Sequence, residues 1–173
     1  MEPMPDLQDD TIIFPTLQRL QECLCQGLAA AGGPGLCYCG LMVGDIMPLQ
    51  LVQCGPGGCG GVAWVRPSQI FPSLILPEPE PGESCLAPLA VEVEIGVARC
   101  YPMPDPRKMI DPQAMFEASR LYMSDMRAMR KAIRCCLDDN SFQGSYSMGT
   151  WAPIEASGGI SGGTWTVTIR PEV

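Results

Sequence analysis

The chain has 173 residues, of which 46% are hydrophobic and 17% charged, with 11 basic against 19 acidic and a formal charge of −8. That length suits one domain with a sizeable core, and the acidic balance disfavours general binding to nucleic acid or an anionic membrane. There is no histidine, which excludes a His general base, a Ser-His or Cys-His pair and imidazole-ligated zinc.

Met1 to Asp10 carries Glu2, Asp6, Asp9 and Asp10 and no basic residue. A secretory signal needs a basic start and an apolar run, so the segment does not read as one. No window approaches the roughly 18 apolar residues of a membrane span. The expectation is a mobile acidic lead over residues 1–14, a cytoplasmic start and no membrane partner. Pro15 opens the first predicted helix, since proline is pre-set for the first helical position. Leu17, Leu20, Leu24 and Leu28 recur along one face, and Gly32-Gly33-Pro34-Gly35 ends the run.

Residues 36–44 and 61–71 read as strands. Between them, Cys54 to Gly61 is too rich in glycine for regular structure. It is a hairpin tip or a place where another backbone approaches closely. Residues 77–88, with Pro77, Pro79, Pro81 and Pro88 among Glu78, Glu80 and Glu83, read as a stiff acidic loop. In 89–100, Leu89, Val91, Val93, Ile95 and Val97 alternate with Ala90, Glu92, Glu94, Gly96 and Ala98, the pattern of a half-buried strand.

Asp111 and Pro112 form a helix start. The helix reaches about Leu137, with Met115, Ser119, Tyr122, Met126, Met129, Ile133 and Cys136 on one side. Residues 146–156 and 164–170 read as a closing strand pair, turned by Gly158-Gly159 and Gly162-Gly163. The expected fold is α+β: a mostly antiparallel sheet whose strands follow by hairpins, with two helices on one face, as a single domain over 15–173.

The ten cysteines are Cys23, Cys25, Cys37, Cys39, Cys54, Cys59, Cys85, Cys100, Cys135 and Cys136. A cytoplasmic start favours free thiols packed as small hydrophobes. Two other readings stay open: a disulfide such as Cys54–Cys59 or Cys85–Cys100, and a zinc site made of cysteine alone. No Cys-x-x-Cys knuckle is present to favour zinc.

Seven of the eleven basic residues fall between Arg107 and Arg134. Arg120, Arg127, Lys131 and Arg134 share one side of the second helix, with Arg130 between them and the Met-rich stripe. Asp125 and Glu117 are placed elsewhere on the helix surface. The plain reading is a solvated face. Against an otherwise acidic body, including Glu92 and Glu94, a basic helix face suits head-to-tail self-association into a ring. Four or five charges give DNA only a weak, salt-sensitive attraction. Met115, Met123, Met126 and Met129 fill a core or form an adaptable contact surface.

Nothing in the residue types points to catalysis. Glu92 and Glu94 share a strand face, where carboxylates are ordinarily solvated. Neither glycine-rich run is followed by Lys-Ser/Thr, so neither is a phosphate loop, and calcium-loop spacing is absent. No catalytic residue, cofactor or metal is expected.

Two stretches carry a resemblance. One is Cys59-Gly-Gly-Val-Ala-Trp-Val-Arg-Pro-Ser-Gln-Ile-Phe-Pro-Ser73 with Leu89-Ala-Val-Glu-Val-Glu-Ile-Gly-Val-Ala-Arg-Cys-Tyr-Pro102. The other is Gly149-Thr-Trp-Ala-Pro153 with Gly158-Gly-Ile-Ser-Gly-Gly-Thr-Trp-Thr-Val-Thr-Ile169. Over roughly residues 15–170 the chain resembles the neck proteins of long-tailed actinobacterial phages, most closely the tail terminators. The resemblance implies a structural virion protein that caps the tail tube as a six-fold ring, docks the head connector and leaves a channel for DNA. It implies partners in the tail tube protein, the connector or stopper protein and other copies of the chain. It places the protein at the virion neck, after assembly in the host cytoplasm. A head-to-tail adaptor or stopper is the neighbouring reading, and a cysteine-rich metal module the distant one. On this reading Arg120, Arg127, Lys131 and Arg134 meet an acidic neighbour or line the channel. The loops bearing Gly57, Gly58, Glu78, Glu80 and Glu83 touch tube or connector.

Overall fold

In a computed structural model, residues 10–44, 52–54, 57–80, 87–102, 107 and 109–172 are described, apart from the side chains of 156 and 157. Seven elements follow in order: α1 (Ile13–Ala30), β1 (Tyr38–Leu41), β2 (Gly61–Pro72), β3 (Leu89–Cys100), α2 (Pro112–Leu137), β4 (Gly144–Ser157) and β5 (Ile160–Pro171).

The strands form one sheet in the order β1-β2-β3-β5-β4. Three of its four pairings are antiparallel, and β1 runs parallel to β2. The α+β class and the mostly antiparallel sheet therefore match the sequence reading. Joining by hairpins alone does not. β3 and β4 both run antiparallel to β5, so they are parallel to each other, and α2 makes the crossover between them. A parallel pair needs such a long connection.

Both helices cover one face. Leu17, Leu20, Leu24 and Leu28 of α1 join Met129, Ile133, Cys136 and Leu137 of α2 over Ala63, Val65, Val91, Val93, Ile95, Val97, Val167 and Ile169. The alternation in β3 sends Val91, Val93, Ile95 and Val97 into this core, whereas Leu89, expected on the same buried face, is exposed at the strand's start. Each fully buried aliphatic side chain contributes about 1.5–3 kcal/mol. The opposite face holds a smaller cluster of Val52, Val62, Trp64 and Ala98.

Three boundaries differ from the sequence reading. α1 starts two residues before Pro15, because the Asp10 carboxylate accepts the N–H groups of Ile12 (2.9 Å), Ile13 (3.1 Å) and Phe14 (2.9 Å). Ile13 and Phe14 thus belong to the helix and not to the acidic lead; residues 1–9 lie outside the described residues. Gly158 (φ +58°) and Gly159 (φ +79°) do make the β4–β5 turn, but Gly162 and Gly163 lie inside β5. There a Cβ would strike the Val97 carbonyl and the Trp151 ring respectively. Gly96 likewise makes room for the Trp64 ring across the β2–β3 pair. These glycines serve close approach, not a turn.

Candidate functional site

Helix α2 carries five of the chain's eleven basic residues, and its seating decides where they point. Asp111 caps its start by accepting the Gln113 N–H (2.9 Å), with Pro112 in the first turn. Its middle is fixed by a buried ion pair. Arg99 of β3 donates from Nε and Nη2 to the two carboxylate oxygens of Asp125 (2.5 and 2.9 Å), and from Nη1 to the Pro34 carbonyl (2.7 Å). One guanidinium thus joins β3, α2 and the α1–β1 link. Asp125 is 3% exposed, which corrects its expected place on the helix surface. A single acid inside a mostly amphipathic stripe gives no sign of a partner 26 residues away. Two tryptophans seat the same helix on the sheet. Trp151 Nε1 donates to the Tyr122 hydroxyl (2.7 Å) and Trp165 Nε1 to the Met126 carbonyl (3.3 Å).

With Asp125 facing inward, the outer surface of α2 is basic. Arg127, Arg130, Lys131 and Arg134 line one open cavity of about 450 Å³ together with Cys135 and Asp138. Arg127 and Lys131 also face the groove between α1 and α2, about 560 Å³, beside Arg19 and Asp139. Arg134 pairs with Asp138 at 3.6 Å, and Arg19 with Asp139 at 2.8 Å. Arg127, Arg130 and Lys131 have no ion pair among the described residues. Arg120 stands apart from this group. It pairs with Glu117 at 2.8 Å and lines a separate cavity with Gly33, Pro34 and Leu121. The four predicted basic residues are therefore split, with Arg127, Lys131 and Arg134 together and Arg120 away.

The predicted acidic groups also divide. Glu78 is exposed and Glu80 half-buried in the loop after β2, while Glu83 lies outside the described residues. Glu94 accepts a bidentate pair of hydrogen bonds from Arg66 Nε and Nη2 (both 2.9 Å) and one from Trp64 Nε1 (2.9 Å). Glu92 accepts from the Ser68 hydroxyl at 2.8 Å. Glu94 is thus neutralised within the chain. Gly57 (φ +77°) and Gly58 are exposed beside Cys59.

Eight cysteines form four disulfides: Cys23–Cys136, Cys25–Cys39, Cys37–Cys59 and Cys54–Cys100. This corrects the expectation of free thiols, and neither proposed pair survives, since Cys54 and Cys59 have other partners and Cys100 does not pair with Cys85. The partners are 14 to 113 residues apart in the chain, a separation on which local spacing says nothing. Cys23–Cys136 ties α1 to α2, and Cys25–Cys39 ties α1 to β1. Cys135 is free and exposed, and Cys85 lies outside the described residues. Cysteines so paired are not available as thiolate ligands, and the described residues contain no cluster of three or more residues suited to hold a metal. No described helix is long and apolar enough to cross a membrane.

Comparison with protein-family models and with curated proteins gave no match.

Proposed function

We propose that the protein is a structural assembly protein that caps a phage tail tube as a head-to-tail ring of its own copies, in the manner of a tail terminator. The observation that carries this reading is charge segregation. Arg127, Arg130 and Lys131 are exposed on α2 with no ion pair among the described residues, on a chain with formal charge −8. The exposed Glu78 rises from the loop at the far end of β2. Unlike patches on one molecule favour contact between different surfaces of successive copies, and such contacts close into rings when the rotation allows. The tube protein and the head connector or stopper are the further partners, with DNA as cargo through the channel, at the virion neck. The reading needs no catalytic residue or cofactor.

The test is charge reversal. Arg127→Glu with Lys131→Glu changes two exposed side chains and should leave the fold intact. Light scattering on the double variant should give a lower mass than wild type at equal concentration. Wild-type association should weaken as salt rises, because exposed charge pairs are screened over ~10 Å at 0.1 M. Unchanged mass and tail length in the double variant would remove the helix face from the interface.

A further inference from the structure

Among the described residues Cys135 is the free cysteine, and it is exposed. It does not stand alone. Cys135, Cys23 and Cys136 all line the groove of about 560 Å³ between α1 and α2, and the last two form the disulfide that ties those helices. A thiol and a disulfide thus share one groove.

Helical spacing explains how they meet. The helices touch along Gly27 and Ala132: a Cβ on Gly27 would lie 2.7 Å from the Ala132 Cβ. Cys135 and Cys136 follow Ala132 by three and four residues, so at about 100° per residue they fall on either side of that line of contact. Cys136, on the core side, is 3% exposed and holds the bond to Cys23. Cys135 is on the outer side. Its Cα is only about 3.8 Å from that of Cys136, so moving the bond from one to the other asks for a roll of the last turns of α2, not for the helices to part.

The sulfur that would leave has a place prepared. Cys136 Sγ lies 3.5 Å from the Arg19 carbonyl oxygen. In a disulfide that sulfur has no proton to give. As a thiol it can donate one there, which offsets part of the cost of a buried polar group. Arg19, Arg127 and Lys131 line the same groove, with Asp139 paired to Arg19. Arg127 and Lys131 have no ion pair among the described residues. Their charge favours the anion through which exchange proceeds.

We propose that Cys135 exchanges with the Cys23–Cys136 disulfide, so that the tether between α1 and α2 has two interchangeable forms. The Cys135 thiol gives its proton to water, and its thiolate attacks Cys23 Sγ. The Cys23–Cys135 bond forms as the Cys23–Cys136 bond breaks, and Cys136 leaves as a thiolate that takes up a proton. One disulfide and one thiol are present before and after, so no oxidant or reductant is consumed. Cys23 is the sulfur attacked, because adjacent Cα atoms at about 3.8 Å are nearer than the usual disulfide range of about 4.4–6.8 Å. Exchange moves the tether toward the flank of α2 that carries Lys131, and so couples the setting of the basic face to a thiol reaction. It does not depend on the capping reading.

Alkylation mapping tests it. Wild-type protein is held at about pH 8.5, where an ordinary thiol is half ionised. It is then quenched at about pH 6, where thiolate is scarce and exchange slow, and unfolded in urea with N-ethylmaleimide. Fragmentation mass spectrometry of the digest reads the labelled position. Label on Cys136, with a Cys23–Cys135 peptide in equal amount, should accumulate during the hold at a rate independent of protein concentration. Cys135→Ser should show neither product. Label confined to Cys135 however long the hold overturns the proposal, as does a rate that rises with protein concentration. Label on both Cys23 and Cys136 in protein quenched at once overturns it too, since the disulfide is then missing. So does label on Cys136 that persists in Cys135→Ser, where another thiol must be attacking.

Discussion

At the scale of single residues, Arg99 and Asp125 matter most to the placement of α2. Among the described residues their charges are neutralised by each other, inside the protein, where water does not compensate for a lost partner. Asp125→Ala should therefore cost about 3–5 kcal/mol in urea unfolding, the usual penalty for stranding one member of a buried pair. A cost below about 1 kcal/mol would mean that water or another acid reaches Arg99. Titration gives a second residue-scale prediction. The Ile12 N–H chiefly, with those of Ile13 and Phe14, holds the Asp10 carboxyl below its ordinary value. The hydroxyl and N–H of Ser141 do the same for Asp139, with a smaller contribution from Arg19. Both groups bind protons more weakly folded than unfolded, so their stabilisation is present above about pH 4 and lost as pH falls through their folded values. Tyr146 has the opposite sign: burial first, then its hydrogen bond to Asp138, raises its phenol above 10.0. Its contribution is full below pH 10 and is lost as pH rises through the raised value. Thermal melting should fall at both extremes, with Asp10→Asn reducing the acid limb and Tyr146→Phe the alkaline one. Melting curves of these variants that overlay wild type at all pH values would contradict the assignment.

At the scale of elements, the sequence was most informative where one local pattern decides the outcome. The Leu17-Leu20-Leu24-Leu28 stripe and the Asp111-Pro112 start each depend on residues within a few positions, and both appear as read; β3 is a strand as read, but Leu89 is exposed and Ala90, Gly96 and Ala98 are buried, so both of its faces are covered. The parallel β1–β2 pairing does not follow from β1, which has four residues and no long alternation. Gly162 and Gly163 look like a turn in sequence because the Trp151 ring and Val97 carbonyl that need the space come from other strands. Asp125 looked solvated for the same reason: Arg99 is distant in sequence. Cysteine pairing is the extreme case, with the Cys23–Cys136 partners 113 residues apart. Peptide mapping of unreduced, alkylated protein should recover Cys23–Cys136, Cys25–Cys39, Cys37–Cys59 and Cys54–Cys100, with Cys135 alkylated. Linking so distant a pair typically stabilises by about 2–4 kcal/mol, so reduction should lower the urea midpoint. Ten alkylated cysteines in the native isolate would show thiols that meet without bonding, as a reducing compartment favours.

At the scale of the whole molecule, the basic cluster on α2 was partly legible. Helical spacing grouped Arg127, Lys131 and Arg134 correctly, but could not place Arg120 with Glu117 and a different cavity. The exposed position of Leu74 and Ile75 just after β2 was not legible either. The segment's anchors, Ser73 and Arg170, come from the end of one strand and from another far along the chain. Together these features describe an acidic chain with a basic helix face on which Arg127, Arg130 and Lys131 have no ion pair among the described residues; on the proposed reading that face meets the next copy. The most direct test of the central claim is negative-stain imaging of purified protein mixed with assembled tail tubes, alongside its mass in solution. The account predicts rings of about six copies, seated at one end of the tube and preventing further growth there. Protein that leaves tube ends bare and tube length unchanged, while remaining a folded monomer, would contradict it.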